Sequence, residues 1–169
     1  MTPLFWIDRR FPGRLAIAAR PRGGDWLEDE LAAWRRQGAD VVVSLMTSEE
    51  ADELGLADEA ILAADGHLEF IRYPVPDRGV PDSTGAFLAL ARHLAEALRA
   101  GRSVAVHCRQ GIGRSAVLAA AVLVALGTPT DQAWAQIQLA RGLPVPETAE
   151  QHAWLERNAP AVPREPQPT

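Results

Sequence analysis

At 169 residues the chain is long enough for one domain with a sizeable core, and its 47% apolar and 23% charged residues are those of a soluble globular protein. A net charge of -5 argues against a nucleic-acid or anionic-membrane partner. One cysteine excludes an internal disulfide and suits a reducing compartment such as the cytoplasm.

The first residues, MTPLFWIDRR, lack the basic and apolar segments of a secretory signal. Leu4–Ile7 and Leu15–Ala19 read as two short strands joined by a turn at Pro12-Gly13. Asp25 is an expected N-cap, with Glu28 completing a capping box. Leu27, Leu31 and Trp34 then repeat at helical spacing through Gln37, and Gly38 ends the helix. Asp40–Met46 is an apolar run of the kind found inside parallel sheets. Thr47 or Ser48 caps a helical stretch through Leu54, Ala57–Ala64 is a further short helix, and Leu68–Pro74 alternates as a strand.

Val75–Asp82, with its prolines and glycine, is a loop. Ser83 or Asp82 caps a long amphipathic helix whose apolar side runs from Phe87 to Leu98, ended by Gly101. Ser103–His107 is a buried strand. The following apolar run, Ala116–Leu126, is too short to span a bilayer and fits a core helix. Another helix starts at Pro129-Thr130-Asp131, with Trp134, Ile137 and Leu139 expected to face inward. Arg141–Pro146 is a turn, and Glu147–Asn158 a last helix carrying Trp154 and Leu155. Residues 159–169, rich in proline, are expected to form a disordered tail after a single domain over 1–158. Strands alternating with helices imply an α/β fold, a largely parallel sheet flanked by helices.

The chemistry concentrates between Ser103 and Gly127. A strand ends at His107, Cys108 follows, then Gly111, Gly113, Arg114 and Ser115, and a helix begins. A helix N-terminus leaves backbone N–H groups unpaired and carries positive potential. Glycines let the loop turn so that its N–H groups converge on an anion. Arg114 adds a planar fork for a phosphate, and the same positive setting favours the thiolate of Cys108. A nucleotide P-loop would need a lysine, and the chain has none.

The stretch HCRQGIGRS matches His-Cys-x5-Arg-Ser, and on it the chain resembles the cysteine-dependent protein tyrosine phosphatase superfamily, most of all its compact dual-specificity branch. The resemblance implies a three-layer α/β fold and a phosphomonoesterase needing no metal or other cofactor, because the loop supplies the positive charge. Cys108 would be the nucleophile and form a phosphocysteine. Arg114 and the loop from Arg109 through Gln110, Gly111, Ile112 and Gly113 would hold the phosphate oxygens. The side chains of Arg109, Gln110 and Ile112 would splay outward to the substrate rim. His107 would tune the thiolate through neighbouring backbone, and Ser115 would donate to the sulfur as it leaves.

The resemblance also implies an aspartate acid on an upstream loop. Asp77 is the first choice and Asp82, which also suits a helix cap, the alternative. Gln151 stands near the position of a water-positioning glutamine in some relatives, although a solvent-facing helix residue is the simpler reading. The expected partner is a phosphoprotein or phosphopeptide. A single tyrosine, Tyr73, suits a shallow pocket open to phosphotyrosine and to phosphoserine or phosphothreonine. A small phosphoester such as an inositol phosphate, a silent phosphopeptide-binding module and a rhodanese-like sulfurtransferase are the competing readings.

Overall fold

The computed structural model describes residues 1–7 and 11–162. Strands β1 (Phe5–Ile7), β2 (Leu15–Ala18), β3 (Val41–Ser44), β4 (Glu69–Arg72) and β5 (Val104–His107) form one sheet in the order β1-β2-β5-β3-β4. Only the β1–β2 pair is antiparallel; β5 lies at the centre, parallel to β2 and β3. The helices are α1 (Leu27–Arg36), α2 (Ser48–Glu53), α3 (Glu59–Asp65), α4 (Thr84–Arg99), α5 (Arg114–Ala125), α6 (Thr130–Arg141) and α7 (Ala149–Asn158).

Strand periodicity divides the core in two. Leu15, Ile17, Val41, Val43, Val104 and Val106 face the larger cluster, built with α4, α5, α6 and α7. The alternate residues Ala16, Ala18, Val42 and Ala105 face the smaller one, with Leu27, Leu31, Trp34 and Ala63 of α1 and α3. Side chains two apart on a strand share a face, so β2, β3 and β5 are apolar on both. Helix α5 is buried from Arg114 to Val124, consistent with its all-round apolar sequence. The result is a three-layer α/β fold with a largely parallel sheet.

Several local expectations are corrected, and the paired alternatives for the caps of α2 and α4 are each met by one of the two residues. Asp25 forms no capping box: a 3-10 turn over Gly24–Trp26 precedes α1, and no side chain caps that helix. The turn exists because Gly24, at φ 61°, redirects the chain and its N–H donates to Gly55 O at 2.8 Å. Thr47, rather than Ser48, caps α2 through a full capping box with Glu50. Ser83, rather than Asp82, caps α4. Leu139 is 83% exposed; α6 turns Trp134 and Ile137 inward, and Leu139, two residues after Ile137, falls on the opposite side of the helix. Helix α7 begins at Ala149, where Thr148 and Gln151 make the box that Glu147 cannot. Ala159 and Val162, assigned from sequence to the tail, pack against the core; residues 163–169 lie outside the described residues. No helix among the described residues is long and apolar enough to cross a membrane.

The parallel strands place their following loops at one edge of the sheet. These are Leu45–Thr47 after β3, Tyr73–Ser83 after β4 and Cys108–Gly113 after β5. Such a carboxyl edge is where open α/β sheets hold ligands.

Candidate active site

The Cys108–Gly113 loop turns at Gly111, whose φ is 71° and where a Cβ would lie 2.5 Å from the backbone of Ala18. Only glycine meets both demands. Its neighbouring carbonyls are drawn away from the loop's centre. Arg109 O accepts the Arg20 N–H at 3.3 Å, Gln110 O accepts Arg141 Nη2 at 3.2 Å, and Gly111 O accepts Arg141 Nε at 3.1 Å. A trans peptide is planar with N–H opposite C=O, so the N–H groups of Gln110, Gly111 and Ile112 point away from those partners. The Gly111 N–H donates to Cys108 Sγ at 3.3 Å. No side chain caps the N-terminus of α5, so its first amides add to the same cup. Ser115 Oγ stands 3.1 Å from the sulfur, and Cys108 itself is 3% exposed.

Arg114 leaves α5 buried and reaches across the loop edge. Its Nη1 donates to Glu50 Oε2 at 2.8 Å, Val75 O at 2.7 Å and Leu45 O at 3.3 Å. Its Nη2 donates to Glu50 Oε1 at 2.9 Å and Asp77 Oδ1 at 3.0 Å. The terminal fork expected to hold a phosphate is thus occupied by protein acceptors, and the Nε–H takes part in none of these contacts. Burial works against the guanidinium's charge. The hydrogen bond to Glu50 and the negative charges of Cys108, Glu50 and Asp77 outweigh it and hold Arg114 above its ordinary value. Burial likewise pushes the Glu50 carboxyl up, but the bonds from Arg114 and Thr47 prevail and keep it below the usual range.

Asp77 and Asp82 are separated by their surroundings. Asp77 sits in a turn closed by Gly79 N–H to Pro76 O at 2.8 Å, and its Oδ1 accepts both Arg114 Nη2 and the Arg78 N–H, each at 3.0 Å. Asp82 is exposed and lies beside Tyr73, where burial and the Asp82 charge both raise the phenol. Tyr73 donates to Ser83 O at 3.3 Å.

His107 is fully buried behind the loop. Its Nδ1 is 3.3 Å from Cys108 O, and its Nε2 is 2.7 Å from Glu59 Oε1. A carbonyl can only accept, so an Nδ1–H is the tautomer that would bond Cys108 O. Glu59 thereby orients the imidazole, and the imidazole orients the Cys108 peptide.

Gln151 is buried, which corrects the solvent-facing reading. Its side chain completes the α7 capping box, donates from Nε2 to Gly79 O at 3.1 Å, and stands over Gly113. Arg109 and Gln110 are exposed, and Ile112 packs partly on the core.

Sequence reasoning missed Glu50, Glu59 and Arg141. Glu50 is legible as the third residue of the Thr47 capping box, but its grip on Arg114 spans 64 positions of chain. Glu59 reads as an ordinary acidic first turn, and Arg141 as a basic helix end.

A family model described as "Tc-R-P: Polymorphic toxin system, DSP-PTPase phosphatase" matches residues 16–128. The chain belongs to this family. The DSP-PTPase match includes Asp77, Cys108, Arg114 and Ser115 and stops before α6. Cyclin-dependent kinase inhibitor 3 of Rattus norvegicus is 33% identical over 85 residues, 49% of this chain and 40% of that protein, so the match spans well under half of that relative. Tk-PTP in its active form is 28% identical, with a TM-score of 0.75 over 92% of this chain and 95% of its own. Kinase associated phosphatase, with serine substituted for its catalytic-site cysteine, has a TM-score of 0.83 at 19% identity, covering 92% and 93% of the two chains. Human DUSP28 has one of 0.66 at 18% identity, covering 93% and 94%. These last two share the fold of this DSP-PTPase domain.

Proposed function

We propose that the chain is a dual-specificity-type protein phosphatase that hydrolyses phosphomonoesters through a phosphocysteine. The observation that carries this is the Cys108 sulfur held by the Gly111 N–H and beside Ser115 Oγ, in a loop whose Arg109, Gln110 and Gly111 carbonyls are taken up by Arg20 and Arg141. Equatorial phosphate oxygens would accept from the loop amides and from Arg114, which stabilises the charge of the transferring group. The Cys108 thiolate attacks phosphorus as the P–O bond to the leaving group breaks. Asp77 gives its proton to the departing oxygen. Both hydrogen bonds to Asp77 fall on Oδ1, so Oδ2 is the oxygen outside them. In the second step Asp77 takes a proton from water, water attacks phosphorus, and the S–P bond breaks with Ser115 donating to the sulfur. The substrate class is a phosphoprotein. With Tyr73 engaged by Ser83, the chain's single tyrosine is not free to wall a deep pocket, which suits both phosphotyrosine and phosphoserine or phosphothreonine. A reducing compartment such as the cytoplasm suits a thiol with no second cysteine to protect it.

The test is hydrolysis of p-nitrophenyl phosphate and of phenyl phosphate. Cys108→Ser should abolish turnover and keep binding of inorganic phosphate. Asp77→Asn should lower kcat on phenyl phosphate by about a hundredfold, the scale of general acid catalysis. The loss should shrink on esters whose leaving group needs no proton. Undiminished phenyl phosphate turnover in Asp77→Asn would transfer the acid to Asp82, and a wild type that binds phosphopeptide without turnover would favour the binding module.

A further inference from the structure

The loop bearing Asp77 is fastened to the start of α7 at two points. Arg78 Nη1 pairs with Glu147 Oε1 at 2.8 Å, and Gly79 O accepts Gln151 Nε2 at 3.1 Å. Arg78 holds a φ of 59°, a left-handed conformation that side chains other than asparagine, aspartate and glycine seldom adopt. Such a conformation persists where surrounding contacts over-determine it. Here those contacts are the Pro76–Gly79 turn, the Asp77 carboxylate on the Arg78 N–H, and the two ties to α7. The left-handed turn sends the Arg78 side chain toward α7 while Asp77 meets Arg114.

The anchor at α7 is itself fixed to the phosphate-binding loop. A Cβ on Gly113 would lie 2.9 Å from Glu147 Oε2 and 3.0 Å from Gln151 Nε2, so both side chains stand directly against that loop. Gln151 is fully buried, and its Oε1 is held by the Thr148 N–H at 3.1 Å. Glu147 has a side chain only 17% exposed. The short segment from Glu147 to Gln151, which leads into the first turn of α7, therefore touches Gly113 and grips the Asp77 loop.

We infer that Arg78 and Glu147, with Gln151, are positioning residues: they form a strap that holds the Asp77 loop in register with Cys108. The strap presupposes the phosphatase chemistry proposed above. It never touches the reacting atoms, and its effect is the fraction of time that Asp77 is aligned to give its proton. Loss of the strap should thus damage only those turnovers that need the proton.

The experiment compares phenyl phosphate, whose leaving group needs protonation, with 2,4-dinitrophenyl phosphate, whose leaving group does not. Arg78→Asn keeps a residue tolerant of the left-handed backbone, and Glu147→Ala removes the anchor. Both should lower kcat on phenyl phosphate roughly tenfold, a part of the full acid contribution, and Arg78→Asn should leave kcat on the dinitrophenyl ester within about twofold of wild type. The charge-swapped pair Arg78→Glu with Glu147→Arg should recover most of the phenyl phosphate rate, a rescue that general loop damage would not produce. Equal losses on both esters, or no loss on phenyl phosphate, would overturn the strap while wild-type turnover preserves the phosphatase assignment. A wild type inert on both esters would overturn that assignment and the strap with it.

Discussion

A buried arginine needs its charge met, and Arg114 shows how. Glu50 takes both terminal nitrogens of the guanidinium in a bidentate grip, with side-chain exposures of only 1% and 11%. That grip fixes the plane of the fork. Breaking such a pair strips a buried cation of its main counter-charge and leaves Asp77 and two carbonyls to meet it, so Glu50→Ala should cost about 3 kcal/mol of stability in urea denaturation, the lower end for a broken buried pair. The same pair sets a pH dependence. The folded-state carboxyl of Glu50 lies below its ordinary value of 4.5, so its stabilisation is complete above that pH and is lost as the pH falls through the folded value. The stability gap between wild type and Glu50→Gln should therefore be widest above pH 4.5 and narrow on acidification below it. A gap that widened in acid would contradict the pairing.

At the scale of elements, α6 and the β5–α5 loop act together. Arg141, at the end of α6, captures two loop carbonyls and lies 4.3 Å over the Phe5 ring of β1. Burial pulls this guanidinium down, and the Cys108 charge opposes that only in part. Taking up those carbonyls turns the opposed amides away from Arg141, so Arg141 shapes the loop without entering its anion site. Arg141→Met keeps much of the stem's packing and removes both hydrogen bonds. It should weaken inorganic phosphate inhibition and lower kcat/KM by roughly tenfold, the scale of a modest misplacement of catalytic groups. Thermal denaturation should show a much smaller change than for Glu50→Ala. Unaltered phosphate affinity would mean that the loop holds its shape by other means. Glu147, just before α7, and Gln151, in its first turn, perform the parallel service for the Asp77 loop.

Over the whole molecule, two apolar layers clamp one sheet, and the reactive loops emerge where its parallel strands end. Leu118, at the heart of α5 and fully buried, belongs to the larger layer. Leu118→Ala should cost about 2–5 kcal/mol through lost burial and the cavity left behind. Leu139→Ala, at an 83% exposed position, should change stability by less than about 0.5 kcal/mol in the same denaturation assay. Comparable losses at the two leucines would contradict the orientation of α6.

What could be read along the chain was whatever local spacing encodes. The strand–glycine loop–helix order around Cys108, the apolar strands, the caps at Thr47 and Ser83, and Asp77 in a proline-flanked turn each depend on residues a few positions apart. The Asp25 box and the inward Leu139 failed at that same local level. There a long-range bond from Gly24 to Gly55, and the side of α6 that meets the core, overrode the pattern. The partners of the reactive groups were invisible for a different reason. Glu50 meets Arg114, Glu59 meets His107, Arg141 meets Gly111 and Glu147 meets Arg78 across gaps of 64, 48, 30 and 69 residues. In sequence each of these charges looks like a solvated helix end. Only folding brings Glu50 and Glu59 into low-dielectric surroundings, where a buried charge must find its counterpart, and brings Arg141 and Glu147 to partners far along the chain.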